Sequence, residues 1–399
     1  MDAAISLPRG FKVAGTACGL KDDPAAFDLA LFVSESSCTA AGVFTQNNVC
    51  GAPVKVSRER LPRVTARAVI INSGNANACT GERGLIDARW MTAEVALRLI
   101  CSTDDVLVCS TGVIGHYLPR EKLTAGIPIL IEKLDDSPQS FEDAARGMMT
   151  TDTIHKQAVR RKKFGGKVVQ VSGACKGAAM IGPNMATMLS VILTDAELSP
   201  VDADAMLRHA VDRSFNCISV EGHTSTSDSV ILMANGAAQS GPLADTDKPR
   251  LQSMLDEVAE ELAQAIVRDA EGADHLITID VRGLRSRGEA FRIAQTIAND
   301  ALVKTAIAGA DPNWGRIVSC IGRTNVDLSE DAITLRINGT VLYNKGAPAP
   351  YDEEAVSAEI RENRNVSIAL DFPFGDAEVR FWSSDLTTEY VRLNSEYTT

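Results

Sequence analysis

The chain has 399 residues, of which 45% are hydrophobic and 23% are charged. This composition is that of a globular protein, and the length is too great for a single hydrophobic core. Forty Lys and Arg against 52 Asp and Glu give a formal net charge of −12, which argues against a nucleic acid or an anionic membrane as partner. A small anionic substrate remains compatible, because a local Lys or Arg can bind a carboxylate.

The cysteine and histidine patterns exclude several kinds of site. Nine cysteines and five histidines occur, without a CxxC pair, an HExxH motif or any other common metal spacing. We therefore expect reduced thiols in a cytoplasmic protein, no metal site and no bound cofactor. The N-terminal residues form no basic-then-apolar leader, and no stretch approaches the roughly 20 apolar residues of a membrane span.

Short strands separated by turn residues dominate the first part of the chain. The predicted strands are FKVAGTACGL (11–20), FDLALFV (27–33), TAAGVFTQ (39–46), APVKVS (52–57), RAVIINSG (67–74) and DVLVCS (105–110). Apolar periodicity predicts a helix over 84–101, a helix after Pro119 and another over 140–149. The apolar run that begins at Met188 predicts a buried strand.

The second part of the chain alternates helices and strands irregularly. Helices are predicted near 200–213, 247–270, 288–299 and 353–362, and strands at 229–234, 276–283, 331–338, 366–372 and 377–382. The pattern starts afresh near residue 285, where we place a domain boundary. Because neither a GxGxxG nor a P-loop motif is present, we expect sheets layered with helices rather than a doubly wound nucleotide-binding sheet.

Four loops are small, polar and glycine-rich, and each adjoins a predicted strand. They are NSGNANACTG (72–81), STGVIG (110–115), MTTDT (149–153) and CKGAAMIGPNMAT (175–187). Such loops let backbone N–H groups approach an anionic oxygen. Together they indicate a small-molecule site.

The last of these loops ends in a threonine with two interpretations. Thr187 can simply be a β-branched residue that opens a strand. It can also be a nucleophile that brings its own base, since an N-terminal threonine uses its α-amine to accept the hydroxyl proton. The second interpretation requires cleavage of the Ala186–Thr187 bond, and local chemistry leaves both open.

A resemblance to a known family favours the nucleophile. The run KGAAMIGPNMATML (176–189) resembles the self-cleaving motif of the ornithine acetyltransferase family. Further blocks follow in family order: INSGNANACTG (71–81), CSTGVIG (109–115), MTTDT (149–153), TSTSDS (224–229), GADPNWGRI (309–317) and DLTTEYVRLNSEYTT (385–399). The resemblance implies transfer of acetyl from N2-acetyl-L-ornithine to L-glutamate in arginine biosynthesis.

The resemblance also implies roles for individual residues. Thr187 matches the nucleophile, and Thr111 and Gly112 match the pair that forms the oxyanion hole. The positions that match substrate contacts are Thr153, Lys176, Thr187, Glu271, Asn394 and Thr399. The sequence departs from the family around Glu271, where DAEGADH lacks an expected Thr-Lys, and at Glu221 and His223, where Asp is common. These departures concern substrate preference more than reaction type.

The family fold implied is a four-layer α/β/β/α sandwich over residues 1–285, with a smaller C-terminal α/β lobe over 286–399 whose tail returns to the active site. Cleavage would give an α chain, 1–186, and a β chain, 187–399, assembled as an α2β2 heterotetramer. Three alternatives stay open at this point: additional use of acetyl-CoA to acetylate glutamate, a self-processing aminopeptidase or amidase of the same fold, and an uncleaved relative that only binds an amino acid.

Overall fold

A computed structural model describes residues 5–182, 188–239, 241 and 243–396. Ala186, Thr187 and Thr399 lie outside the described residues. In chain order the strands are β1 (Phe11–Thr16), β2 (Leu29–Phe44), β3 (Arg63–Asn75), β4 (Val106–Val113), β5 (Lys156–Phe164), β6 (Lys167–Lys176), β7 (Leu189–Thr194), β8 (Ile218–Ser219), β9 (Ser229–Ala234), β10 (Leu276–Leu284), β11 (Thr334–Ile337), β12 (Thr340–Asn344), β13 (Ala347–Pro348), β14 (Asn365–Asp371) and β15 (Ala377–Ser384).

The helices alternate with these strands along the chain. They are α1 (Ala52–Arg60), α2 (Gly81–Leu99), α3 (Arg120–Glu132), α4 (Pro138–Met148), α5 (Pro200–Arg213), α6 (Lys248–Arg268), α7 (Arg287–Ala298), α8 (Ala301–Ala308), α9 (Trp314–Gly322), α10 (Glu353–Glu362) and α11 (Thr388–Glu396). Helix α5 illustrates why they begin where they do. Ser199 caps it by accepting from the N–H of Asp202, and Pro200 occupies the first turn, where no N–H is needed.

The first sheet is folded over on itself through the long strand β2. Its order is β4-β3-β2-β9-β7-β6-β5, with β1 also paired to β2. Residues 29–34 of β2 pair with β1, and residues 39–44 pair with β9. Strand β3 pairs with residues 29–33 of β2 and, after register shifts, with Cys38 and Ala40. Exposed residues and register shifts lie between these two parts. The two halves of the sheet enclose an apolar core that contains Phe32, Ile71, Leu189 and Met233.

Helices cover both outer faces of the folded sheet. Helices α1, α2 and α3 pack through one core, to which Met91 and Ile127 belong. Helices α5 and α6 cover the other half through a second core, to which Leu207 and Leu262 belong. The order is therefore helices, half-sheet, half-sheet, helices, and the expected four-layer α/β/β/α sandwich is confirmed.

The second sheet is smaller and carries most of the C-terminal part. Its order is β13-β12-β11-β14-β10-β15-β8, and it shares one continuous core with α6 and α7. Strand β10 is central, parallel to β14 and antiparallel to β15. Strand β10 precedes residue 285, whereas β14 and β15 follow it. The expected division into 1–285 and 286–399 therefore separates β10 from both strands that pair with it. That boundary stays a prediction.

Two local predictions are wrong. Residues 52–57 were predicted as a strand, but they form helix α1, because Pro53 suits a first helical turn and Val54 and Val56 are buried. The strands predicted over 27–33 and 39–46 belong to the single strand β2.

Among the described residues, no helix combines the length and the apolar composition that a membrane span requires.

Candidate active site

A cavity of about 130 Å³ lies where the ends of β4 and β6 meet several loops. Five of the predicted site residues line it, although they are far apart in sequence. They are Thr111, Gly112, Lys176, Glu271 and Asn394. The sandwich therefore brings together residues from both sides of the predicted cleavage point.

Thr111 and Gly112 end strand β4 at a distorted part of the sheet. Thr111 is 2% exposed, and the β3–β4 register shifts opposite it, between Gly74 and Asn75. Gly112 has φ of +127°, and a Cβ there would lie 2.4 Å from the carbonyl carbon of Gly74. Only glycine fits this position, and the irregular pairing is of the kind that redirects groups toward a site.

Lys176 ends strand β6 and contacts Thr111 directly. Its side chain is buried, and Nζ donates to Oγ1 of Thr111 over 3.1 Å. Burial lowers the pKa of Lys176, while Asp152 acts in the opposite direction. Because the hydroxyl oxygen of Thr111 accepts from Lys176, its own proton remains available to donate into the cavity.

Glu271 and Asn394 also line the cavity and contact each other. Glu271 follows helix α6, and its Oε2 accepts from Nδ2 of Asn394 over 3.0 Å. The adjacent Gly272 has φ of +64°, and a Cβ there would lie 2.4 Å from the N atom of Tyr390 in α11. The C-terminal helix therefore sits on the Glu271 loop and presents Asn394 to the site.

Thr153 lies apart from this cavity. Its N–H donates to Oδ2 of Asp269 over 3.0 Å, and its hydroxyl donates to Oδ1 of the same carboxylate. It lines a neighbouring cavity of about 430 Å³ that shares Thr151 and Glu271 with the first. Its contact with substrate stays a prediction.

A buried ion cluster supports the loop that carries Thr153. Nζ of Lys156 lies 2.6 Å from Oδ1 of Asp152 and 2.6 Å from Oδ2 of Asp269. Burial alone would raise the pKa of Asp152, but Lys156, Lys176 and the N–H of Gly177 outweigh it and hold that pKa at about 2. The cluster joins residues before and after the predicted cleavage point.

The predicted nucleophile itself lies outside the described residues, as do Ala186 and Thr399. The adjoining part of the chain is described. Met188 is buried, and the next residue, Leu189, pairs with Lys176 across β7 and β6. The chain that follows Thr187 thus runs beside the residue that contacts Thr111.

Several hydroxyl-bearing residues that line the cavity were not singled out from the sequence. They are Thr150 and Thr151 before β5 and Ser225, Thr226 and Ser227 before β9. They belong to the blocks 149–153 and 224–229, and the polar composition of those blocks was the available signal. No group of three or more potential metal ligands occurs in the described ranges.

The family model "ArgJ family" matches residues 12–399. This chain belongs to the ArgJ family. The family assignment made from the sequence is thereby confirmed. Among curated ArgJ relatives, "Arginine biosynthesis bifunctional protein ArgJ" from Rhodopirellula baltica is 41% identical over 396 residues, which cover 98% of this chain and 96% of the relative. The protein of the same name from Bacillus subtilis is 40% identical, with 99% and 96% covered.

A solved ArgJ structure supports the fold. The crystal structure of the arginine biosynthesis bifunctional protein argJ from Bacillus halodurans matches with a TM-score of 0.52 and 37% identity. The match covers 100% of that chain but 53% of this one. The crystallised chain is therefore about half as long as the curated ArgJ relatives.

Proposed function

We propose that this protein is a glutamate N-acetyltransferase that moves acetyl from N2-acetyl-L-ornithine to L-glutamate through an acetyl-Thr187 intermediate. The observation that carries the proposal is the meeting of Thr111, Gly112, Lys176, Glu271 and Asn394 in one cavity, in a chain of the ArgJ family. The relatives' name, which places them in arginine biosynthesis, supports the same pathway.

The reaction requires self-cleavage of the chain first. The hydroxyl oxygen of Thr187 attacks the carbonyl carbon of Ala186, the C–N bond breaks as the nitrogen gains a proton, and water hydrolyses the resulting ester. The products are the chains 1–186 and 187–399 with a free α-amine on Thr187. The second chain has 213 of the 399 residues.

Acetyl transfer then follows a ping-pong sequence. The α-amine of Thr187 accepts the hydroxyl proton while the oxygen attacks the acetyl carbonyl. The hydroxyl of Thr111 and the N–H of Gly112 stabilise the oxyanion, an effect worth roughly 3–4 kcal/mol per donor. The intermediate collapses, and ornithine leaves with the proton on its amine. The amine of glutamate then attacks the threonine ester, the C–O bond to Thr187 breaks, and the threonine oxygen regains a proton.

Charged and polar groups around the cavity suit amino-acid substrates. Glu271 would pair with an ammonium group of ornithine, and Asn394 offers both donors and acceptors to an amino-acid head group. We propose Thr153, Lys176 and Thr399 as further substrate contacts, with Lys176 near a carboxylate. Its hydrogen bond to Thr111 supports an additional role in the oxyanion hole.

We propose a second activity with the same nucleophile, acetylation of glutamate by acetyl-CoA. The word "bifunctional" in the relatives' name supports it. Acetyl-CoA would act as a co-substrate, and no resident cofactor or metal is required. Release of free thiol on adding glutamate and acetyl-CoA tests this activity directly, and its absence would leave the protein with ornithine-dependent transfer alone.

We further propose that the two chains stay together as an α2β2 heterotetramer in the cytoplasm. The Lys156 cluster supports the pairing, since Asp152 and Lys156 precede the cleavage point and Asp269 follows it. Light scattering on purified protein would give the mass of two full chains, near twice 42.6 kDa. A mass near 42.6 kDa would contradict this assembly.

The proposed activity is tested by mixing purified protein with N-acetylornithine and glutamate and following N-acetylglutamate. We expect turnover by the wild type, none by Thr187→Ala and partial turnover by Thr187→Ser. Full-rate transfer by Thr187→Ala would contradict the covalent mechanism. Turnover of peptide amides without acetyl transfer would indicate the aminopeptidase alternative, and binding without turnover would indicate the binding protein.

A further inference from the structure

Residues 220–228, here called the clamp loop, contact the chain on both sides of the predicted cleavage bond. The loop connects the short strand β8 to β9 and contributes Ser225, Thr226 and Ser227 to the active-site cavity. Its two ends carry the acidic residues Glu221 and Asp228. The proposed function assigns a role to neither of them.

The first end of the clamp loop holds Ile181. The N–H of Ile181 donates to Oε1 of Glu221 over 2.5 Å. The carbonyl oxygen of Ile181 accepts from the N–H groups of Val220, Glu221 and Gly222 at 2.8, 3.3 and 3.2 Å. Next in sequence, a Cβ on Gly182 would lie 2.5 Å from the carbonyl carbon of Gly222. Ile181 and Gly182 are therefore in close contact with the clamp loop.

The second end of the clamp loop holds Met188, the residue bonded to Thr187. The N–H of Met188 donates to Oδ1 of Asp228 over 3.0 Å. Asp228 is fully buried, and within the described part of the chain its Oδ2 has no hydrogen-bond partner. Burial of a carboxyl whose hydrogen bonds are incomplete lowers the stability of the fold. This cost suggests that Asp228 has a functional role.

The outer side of the clamp loop is itself fixed. The N–H of Thr45 donates to the carbonyl of Asp228 over 3.0 Å, and its hydroxyl donates to the carbonyl of Ser225 over 2.8 Å. The N–H of Gly51 donates to the carbonyl of Thr226 over 2.8 Å. Hydrogen bonds from residues 45–51 thus hold the clamp loop in a defined position next to Ile181 and Met188.

We propose that the clamp loop positions the segment between Ile181 and Met188 for self-cleavage, with Glu221 and Asp228 as the two positioning residues. The inference rests on the self-cleavage in the proposed function. A bond attacked by its own neighbouring side chain reacts only from a restricted geometry, and fixing both ends of a short segment supplies part of that restriction. Loss of the contact at Ile181 or at Met188 removes part of that restriction.

The ionisation of the two carboxyls selects the variants that test the proposal. Burial raises the pKa of Glu221 to about 8 and that of Asp228 well above its usual range. Burial thus favours the neutral form of both groups. Asp228→Asn keeps a neutral group of the same shape with an oxygen that accepts from Met188, whereas Asp228→Ala removes the acceptor.

Asp195 provides a matched control at the far end of β7. It is 2% exposed, its Oδ1 accepts from the N–H of Gln170 over 2.8 Å, and burial also raises its pKa. Asp195→Ala therefore removes a buried carboxyl that accepts from backbone N–H groups, those of Gln170 and Arg9, far from the predicted cleavage bond. It reports the effect of lost stability alone.

The experiment follows cleavage of newly produced full-length protein by intact mass. We expect Asp228→Ala to slow cleavage about tenfold or more, since it leaves a buried N–H without an acceptor, while Asp228→Asn and Asp195→Ala cleave at nearly the wild-type rate. An unchanged rate in Asp228→Ala, or an equal slowing in Asp195→Ala, would overturn the proposal.

Hydrogen exchange at the amides of Ile181 and Met188 separates this inference from the proposed function. If the wild type never cleaves, the proposed mechanism fails, but the hold on the segment is still measurable. We expect the Met188 amide to exchange at least about tenfold faster in Asp228→Ala than in Asp195→Ala. Equal exchange in the two variants would show that Asp228 does not hold the segment.

Discussion

At the scale of single residues, the contact between Lys176 and Thr111 links charge to catalysis. A buried lysine that keeps its proton beside a hydroxyl oxygen makes that hydroxyl a stronger donor. Burial lowers the pKa of Lys176, so its contribution depends on the carboxylates around it. The residue is thus placed to act through Thr111 as well as on substrate.

Lys176→Met is expected to lower kcat more than it raises KM. The variant leaves an apolar side chain of similar length and removes the donor to Thr111. Steady-state kinetics with N-acetylornithine and glutamate measure the split. If Lys176 acts through Thr111, adding Thr111→Val to Lys176→Met costs little more, because the two residues form one unit. A rise in KM alone would instead assign Lys176 to substrate binding.

Gly112→Ala is expected to lower kcat by about a hundredfold or more. The added Cβ meets the backbone of Gly74 and opposes a φ of +127°, so the N–H moves away from the oxyanion, and loss of one such donor costs about 10²–10³ in kcat. Gly115→Ala, at a position with open space around it but also positive φ, is the control for backbone strain. Equal kinetic loss in both variants would contradict a specific role for the Gly112 N–H.

At the scale of elements, helix α11 connects the second sheet to the active site. It follows β15 by a short connection, and the hydroxyl of Thr387 donates to the carbonyl of Gly272. Asn394, near its end, reaches Glu271. No residue of the helix is fully buried, but Tyr390 packs against the core, so the position of the helix depends on this contact together with the polar ones.

Asn394→Ala is expected to raise KM for the amino-acid substrates about fivefold. The exposed hydrogen bond to Glu271 stabilises the orientation of that carboxylate by about 1 kcal/mol. We therefore expect kcat to change less than KM. Ser395→Ala is the matched control, because the hydroxyl of Ser395 donates within its own helix, to the carbonyl of Arg392. Equal effects of the two substitutions would show that α11 contributes only through its stability.

The local sequence pattern predicted helices and strands well where the apolar periodicity extended over many residues. Helices α2, α6 and α7 and strands β9, β10 and β14 all lie close to their predicted ranges. Helix α1 was missed because the alternation in APVKVS resembles a strand, and burial against β4 and α2 decides its conformation. The union of two predicted strands in β2 was also missed, because the exposed residues at its bend resemble a turn.

The motif blocks predicted which loops meet, but not what each side chain contacts. Lys176 was predicted to contact a substrate carboxylate. Its hydrogen bond to Thr111 joins residues that are 65 positions apart in sequence, and no local pattern predicts such a contact. The contact of Thr153 with substrate stays a prediction, and the hydrogen bond from its hydroxyl to Asp269 was not foreseen from the sequence. Such pairings arise from the tertiary fold and are invisible to spacing.

At the scale of the whole molecule, the buried cluster of Asp152, Lys156 and Asp269 joins the two predicted chains. Asp152 has a folded pKa of about 2, below its ordinary value, and the pKa of Lys156 is raised by the two carboxylates despite its burial. The Asp152 contribution is present above pH 4 and is lost as the pH falls toward 2. The Lys156 contribution is lost only at alkaline pH, as its raised pKa is approached.

Lys156→Met is expected to destabilise the protein by about 3–5 kcal/mol near pH 7, because two buried carboxylates lose their cation. Without Lys156, less opposes the burial that raises the pKa of Asp152, so in the variant this carboxyl takes up its proton at a higher pH than in the wild type. The difference in stability should therefore shrink as the pH falls from 7 to 5. Thermal unfolding across this range measures both effects. Lys162→Met is the control, since its pair with Glu257 is partly exposed and should contribute about 1 kcal/mol or less. A pH-independent loss in Lys156→Met would contradict this account of the cluster.

The central claim is that Thr187 becomes an N-terminal nucleophile, and intact mass under denaturing conditions tests it most directly. The account predicts two fragments of about 20 and about 23 kDa from the 42.6 kDa chain, with the larger beginning at Thr187, and a single uncut chain in Thr187→Ala. An uncut wild-type chain of 42.6 kDa that nevertheless transfers acetyl groups at full rate would contradict it.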